Sequence, residues 1–296
     1  MNNNLETKTQ HKATLPISID GNLHLDQKTA RAFGQELSDS YCFAKPFPHL
    51  VIDNFLPLPF IEEIYSLYPT KKIAGEKFFE NEITGLYKRH VLPEICEYKI
   101  RSIFHFFNSA PVLEFLEGLT TIDSLIGDPY FIGGGFHEIF RGGKLGIHAD
   151  FRINEKLNLK RRINILIYLN KNWDHNFGGN LELWDREMKS MVASYAPLFN
   201  RWIIFNTDSD SYHGHPDPLN TPSEITRKSI ALYYYTASKK VYEDTPAHST
   251  MYVARPSDSK HIKKQATRLR LNNYIKDWVP PAAIRGLYKL KKIIKG

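Results

Sequence analysis

A metal-binding constellation is the sharpest chemical signal in the chain. His148 and Asp150 stand one residue apart in Gly142-Gly-Lys-Leu-Gly-Ile-His-Ala-Asp150. On a strand, residues two apart point to the same face, so an imidazole nitrogen and a carboxylate oxygen can reach one cation together. A third ligand is on offer in Ser211-Tyr-His-Gly-His-Pro216, where His213 and His215 are both candidates. Two imidazoles and one carboxylate on one side of an ion leave the opposite positions open. Non-haem Fe(II) uses that facial arrangement to bind dioxygen and a co-substrate. His-x-Asp by itself is a weak signal, and its weight comes from what surrounds it.

The elements that must position these residues read as strands. From Tyr130 onward, short β-rich runs alternate with turn residues: Tyr130 to Ile132, Phe136 to Phe140, Ile163 to Leu169, Leu181 to Trp184, Trp202 to Phe205 and Ile230 to Tyr235. Gly142-Gly143, Asn176 to Gly179 and Asp217-Pro218 separate them. Such spacing predicts a sandwich or barrel-like double sheet. Helices are expected earlier, over Asp26 to Leu37, from Pro59 with Phe60, Ile61, Ile64, Leu67 and Tyr68 on one face, and over Ala110 to Gly118, which Gly118 would stop. A strand is expected over Pro48 to Asp53. Helices precede strands instead of alternating with them, which disfavours a doubly wound parallel sheet.

Composition narrows the classes. The chain has 296 residues and 42% apolar content, enough for a sizeable core. Cys42 and Cys96 lack ligand-like spacing, so a disulfide framework or zinc-cysteine site is not expected. The N-terminus has no secretory pattern and no run is long enough to span a membrane, so a cytoplasmic location is the expectation. The net charge of +7 is concentrated at one end: residues 255–296 carry +10 and the remainder −3. That argues against a nucleic-acid-binding core and for a basic appendage. The last residues, Val279 to Lys295, place Ile284, Leu287, Leu290 and Ile294 near one face beside Arg285, Lys289 and Lys292, a candidate for peripheral contact with anionic lipid.

Residues from about Tyr130 to Thr236 resemble the Fe(II)/2-oxoglutarate oxygenases of the bacterial prolyl-hydroxylase type. The ordered elements are His148-x-Asp150, Arg162-Ile-Asn-Ile-Leu-Ile-Tyr-Leu-Asn-Lys-Asn-Trp173, Gly178-Gly179-Asn-Leu-Glu-Leu, Trp202-Ile-Ile-Phe-Asn206, Tyr212-His-Gly214 and Arg227-Lys-Ser-Ile-Ala-Leu-Tyr-Tyr. Pro46 to Pro57 is similar to the opening of bacterial members. The resemblance implies a mainly β domain with flanking helices (α+β), folded as a double-stranded β-helix of the jelly-roll or cupin-like kind. It implies an N-terminal extension over 1–45, an oxygenase domain over 46–240 with its barrel at about 129–237, and a basic tail over 241–296.

The same resemblance implies His148, Asp150 and His213 as iron ligands, His213 being the one followed by glycine. Arg227 would anchor the distal carboxylate of 2-oxoglutarate, since a buried carboxylate needs a partner and the guanidinium fork matches its shape. Lys228 competes for that role. Tyr168 would bond the same carboxylate, and Asn164, which shares its strand face, would touch co-substrate or substrate. His137 and Glu138 are weaker candidates for substrate contact, and the Arg141 to Lys144 loop leaves their register open. The activity implied is hydroxylation of an unactivated C–H bond with release of succinate and CO2, using Fe(II), 2-oxoglutarate, O2 and, as a further expectation, ascorbate. Halogenases of the superfamily replace the carboxylate ligand, so Asp150 argues against halogenation. A small molecule or glycan is the expected substrate. Prolyl, amino-acid or protein hydroxylation is the alternative. A barrel without catalysis and a cupin-type dioxygenase independent of 2-oxoglutarate are the readings from other classes.

Overall fold

A computed structural model describes residues 11–19, 23–237 and 249–278, with side chains as far as residue 271. In chain order the elements are β1 (His11–Lys12), α1 (Gln27–Cys42), β2 (His49–Asp53), α2 (Leu58–Ser66), β3 (Lys77–Asn81), β4 (Gly85–Val91), α3 (Tyr98–Phe107) and α4 (Ala110–Thr120). There follow β5 (Ile126–Gly127), β6 (Gly135–Ala149), β7 (Ile153–Asn154), β8 (Leu159–Tyr168), β9 (Leu181–Trp184) and β10 (Met191–Tyr195). The last are β11 (Arg201–Asn206), β12 (His213–His215), β13 (Arg227–Thr236), β14 (Met251–Tyr252) and α5 (Lys260–Trp278).

The strands pair in the order β1-β2-β11-β8-β13-β6-β12-β9-β10. Strand β6 divides this path in two. Its first part, residues 135–139, pairs with β13 and β4. Its second part pairs with β12 and β14 near His148. One long strand therefore serves a larger sheet and a smaller one, and the two close as a double-stranded β-helix. The bend falls at Gly142-Gly143, predicted from sequence as a turn between strands. Gly142 has φ +76°, and a Cβ on Gly143 would lie 2.7 Å from the Leu86 carbonyl oxygen. Glycine here lets one continuous strand change sheets.

Alternation along the large sheet explains its apolar sequences. Ile163, Ile165, Ile167, Trp202, Ile204, Ile230, Leu232 and Tyr234 face outward into a core shared with the helices. Their sequence neighbours face into the barrel. A sheet buried on both faces reads as a nearly continuous apolar run. The N-terminal 45 residues supply Leu15, Ile17, Leu25, Ala30, Leu37 and Tyr41 to the outer core. Asp26 caps α1 by accepting from the Thr29 N–H at 2.8 Å.

Three expectations change. Gly118 does not stop its helix but lies within α4, where a Cβ would come 2.3 Å from the Arg31 carbonyl oxygen of α1; it allows close helix crossing. Tyr130 to Ile132 form a turn and not a strand, because the Asp128 carboxylate accepts from the N–H groups of Tyr130 and Ile132. The basic tail, for which the sequence announces no element before Val279, contributes β14 and α5. The amphipathic stretch Val279 to Lys295 lies outside the described residues.

Candidate metal centre

Antiparallel pairing of β12 with β6 sets His213 directly opposite His148. Asp150 follows one residue beyond the end of β6. His148 Nε2 lies 3.6 Å from Asp150 Oδ1, and His213 Nε2 lies 3.6 Å from Asp150 Oδ2. One ligand atom from each of the three falls within 4.8 Å of the others, and all three residues are buried. The imidazoles are oriented from behind. His148 Nδ1 donates to the Gly146 carbonyl oxygen and His213 Nδ1 donates to that of Ser211, each at 2.9 Å. A carbonyl can only accept, so the proton sits on Nδ1 and the Nε2 lone pair is turned to the cluster. This donor set fits a single ferrous ion. His215 is not part of the cluster.

Asp150 has two further partners. Arg161 Nη2 donates to its Oδ2 at 2.9 Å and Asn164 Nδ2 donates to the same oxygen at 3.1 Å. Burial alone would raise the carboxyl, but Arg161, then His213 and His148, hold it well below the usual carboxylate range. Burial, with His148 beside it, pushes His213 down to about 4. The centre is thus set as one carboxylate and neutral imidazole, the forms a metal requires.

A cavity of about 170 Å³ joins these ligands to Arg227. Arg227 projects inward from the start of β13. Its Nε donates to the Gly179 carbonyl oxygen at 2.7 Å and its Nη2 donates to the Tyr168 hydroxyl at 3.0 Å. Lys228, the competitor, faces the other way; its ammonium donates to Thr226 Oγ1 and lies 3.8 Å from Glu138. His137 and Glu138 also split across the strand. His137 lines the cavity, while Glu138 pairs with Arg89 at 3.0 Å and Thr226 at 2.6 Å on the far face. Asn164 lines the cavity, whereas its strand partner Tyr168 reaches the site through Arg227. His175 and His261 are exposed, and His248 lies outside the described residues.

Several cavity residues escaped sequence reasoning. Alternation from Asn164 would place Arg162 inside and Arg161 outside. The register shifts between Tyr234 and Tyr235, setting Tyr235 opposite Arg161, and this returns Arg161 to the cavity side. Lys88 arrives from β4, a strand the sequence did not announce. Tyr252 comes from β14 and Thr250 immediately precedes that strand; the Tyr252 ring lies 5.3 Å from that of His148.

The fold is a double-stranded β-helix, and its three-residue cluster offers a donor set for a metal. Residues 134–235, about a third of the chain, match the model of the 2OG-Fe(II) oxygenase superfamily. The chain is 33% identical over 82 residues to prolyl 3-hydroxylase OGFOD1 of Mus musculus, covering 26% of this chain and 15% of that protein. It is 32% identical over 80 residues to prolyl hydroxylase EGLN3 of Homo sapiens, covering 27% and 31%. The matched region thus spans less than a third of these relatives. Among solved structures, a Pseudomonas putida prolyl-4-hydroxylase superposes with TM-score 0.48 at 14% identity, covering 69% of this chain and all of that one. Among the described residues no helix is long and apolar enough to cross a membrane.

Proposed function

We propose that this chain is an Fe(II)- and 2-oxoglutarate-dependent dioxygenase that hydroxylates an unactivated C–H bond of a small molecule or glycan, releasing succinate and CO2. The observation that carries this reading is the single cavity joining His148, Asp150 and His213 to Arg227. A ferrous ion bound there supplies dioxygen activation coupled to oxidative decarboxylation of 2-oxoglutarate. His148 and His213 offer Nε2 and Asp150 offers a carboxylate oxygen as ligands. Arg227 receives the distal carboxylate of 2-oxoglutarate, with the Tyr168 hydroxyl beside it. Asn164 and Arg161 are positioning residues, since they hold Asp150 by its Oδ2. Ile139, Leu166 and Leu181 give the cavity apolar walls that exclude water and strengthen the charge interactions within.

A second reading keeps the chemistry and changes the substrate. The curated relatives are named prolyl hydroxylases, which favours a prolyl residue in a peptide or protein. Succinate release with Fe(II) and 2-oxoglutarate tests the activity. Wild type is expected to release it and Asp150→Ala is not; equal rates in the two would overturn the assignment. Stimulation by prolyl peptides, and not by sugars or free metabolites, would move the substrate to the second reading.

A further inference from the structure

The metal and co-substrate leave part of the cavity unexplained. Among the described residues its charged lining is Lys88, Arg161 and Arg227 against the Asp150 carboxylate. Arg161 is matched by Asp150. A ferrous ion and a 2-oxoglutarate dianion match each other. The sum over these groups is +2, and with Arg227 taken up by the distal carboxylate the half-buried Lys88 is left facing the cavity.

Lys88 has no hydrogen bond or ion pair among the described residues. Its ammonium lies 5.7 Å from the Phe79 ring and feels the Asp150 carboxylate across the cavity. Pairing of β4, β6 and β13 puts Lys88, Ile139 and Arg227 on one rung. Two strand spacings, roughly 10 Å, separate the first from the last. Tyr168 approaches Arg227 from β8, on the side away from Lys88. The distal carboxylate held between Arg227 and Tyr168 therefore leaves Lys88 for another group. A second side chain has one nitrogen without a hydrogen bond among the described residues. His215 is only 4% exposed, its Nδ1 has no hydrogen bond, and it lines the same cavity.

We propose that Lys88 and His215 form an oxyanion subsite that receives a carboxylate or phosphate carried by the substrate. This rests on the oxygenase reading and narrows its substrate class to acidic molecules. The ammonium supplies the charge and the neutral imidazole supplies one N–H. A substrate carrying an oxyanion of charge −1 to −2 brings the filled cavity close to neutrality.

The test titrates inorganic phosphate, and separately acetate, into the full-length protein loaded with Fe(II) and saturating 2-oxoglutarate under nitrogen, followed by calorimetry. Saturable phosphate or acetate binding is expected, and the tighter of the two identifies the group. Loss of a charge-assisted hydrogen bond should weaken it by about tenfold or more in Lys88→Met. Lys88→Arg should restore most of the affinity, and His215→Asn should cost less than Lys88→Met. Melting curves check that each variant folds, with the His215 variant carrying the test if Lys88→Met does not. Equal anion binding in wild type and both variants would overturn the proposal, as would no binding to wild type. So would anion binding that vanishes once 2-oxoglutarate is present, because the anion would then have occupied the Arg227 position. Failure of 2-oxoglutarate itself to bind the iron-loaded wild type would instead sink the oxygenase reading.

Discussion

Arg161 and Arg227 face the same cavity, and both are almost fully buried. Each guanidinium lies against a tyrosine ring, Tyr233 at 3.5 Å for Arg161 and Tyr168 at 4.8 Å for Arg227. They differ in their acceptors. Arg161 has the Asp150 carboxylate. Arg227 has a carbonyl and a hydroxyl, neither of which carries charge. The first is an ion pair that holds the carboxylate of the candidate metal centre in place. The second is an incomplete one, and a buried cation lacking an anion is a site that awaits one. Residue type and burial are the same, so the neighbours alone separate scaffold from binding group.

Substitutions can break this comparison in graded steps. Asp150→Ala should have the largest effect: iron binding and succinate release are lost, and Arg161 is left buried without its partner. Breaking a buried pair costs about 3–5 kcal/mol, to be read from chemical unfolding of the metal-free protein. Arg161→Met should come next, destabilising the metal-free protein by up to the same ~3–5 kcal/mol. Added Fe(II) should recover part of that loss, because the ion replaces the cation facing Asp150. Unfolding with and without Fe(II) checks this, and no recovery would mean that Arg161 does not act through Asp150.

Arg227→Ala should separate from both. The affinity for 2-oxoglutarate should fall by roughly 100-fold, as a lost charge-assisted bidentate contact implies. Stability should change much less than in the Arg161 variant, since no ion pair is broken. Tyr168→Phe should be mildest, weakening 2-oxoglutarate by roughly tenfold for the one hydroxyl hydrogen bond to the carboxylate. Calorimetric titration measures both.

Much of the candidate site was legible because its residues obey local rules. His148 and Asp150 follow strand spacing, and the order of His213 and Arg227 after them completes the pattern. The barrel strands β8, β9, β11 and β13 were visible as apolar runs. What was not legible depends on long-range pairing. Arg161 faces inward only because of a register shift against β13. Lys88 enters from a strand that must first pair with β6, and its own sequence, Gly85 to Val91, is too mixed to announce burial. Tyr252 reaches His148 because β14 adds to the edge of β6 some hundred residues away in sequence. Helix α3 was missed too, although Ile100, Ile103, Phe104 and Phe107 repeat at helical spacing.

Anaerobic titration of 2-oxoglutarate into the metal-free protein, the Fe(II)-loaded protein and Fe(II)-loaded Arg227→Ala tests the central claim most directly. The expected result is tight binding that requires both the metal and the guanidinium, weakened strongly when either is removed. Binding of equal strength in all three samples would contradict the assignment of one cavity to iron at His148, Asp150 and His213 and to a dicarboxylate at Arg227.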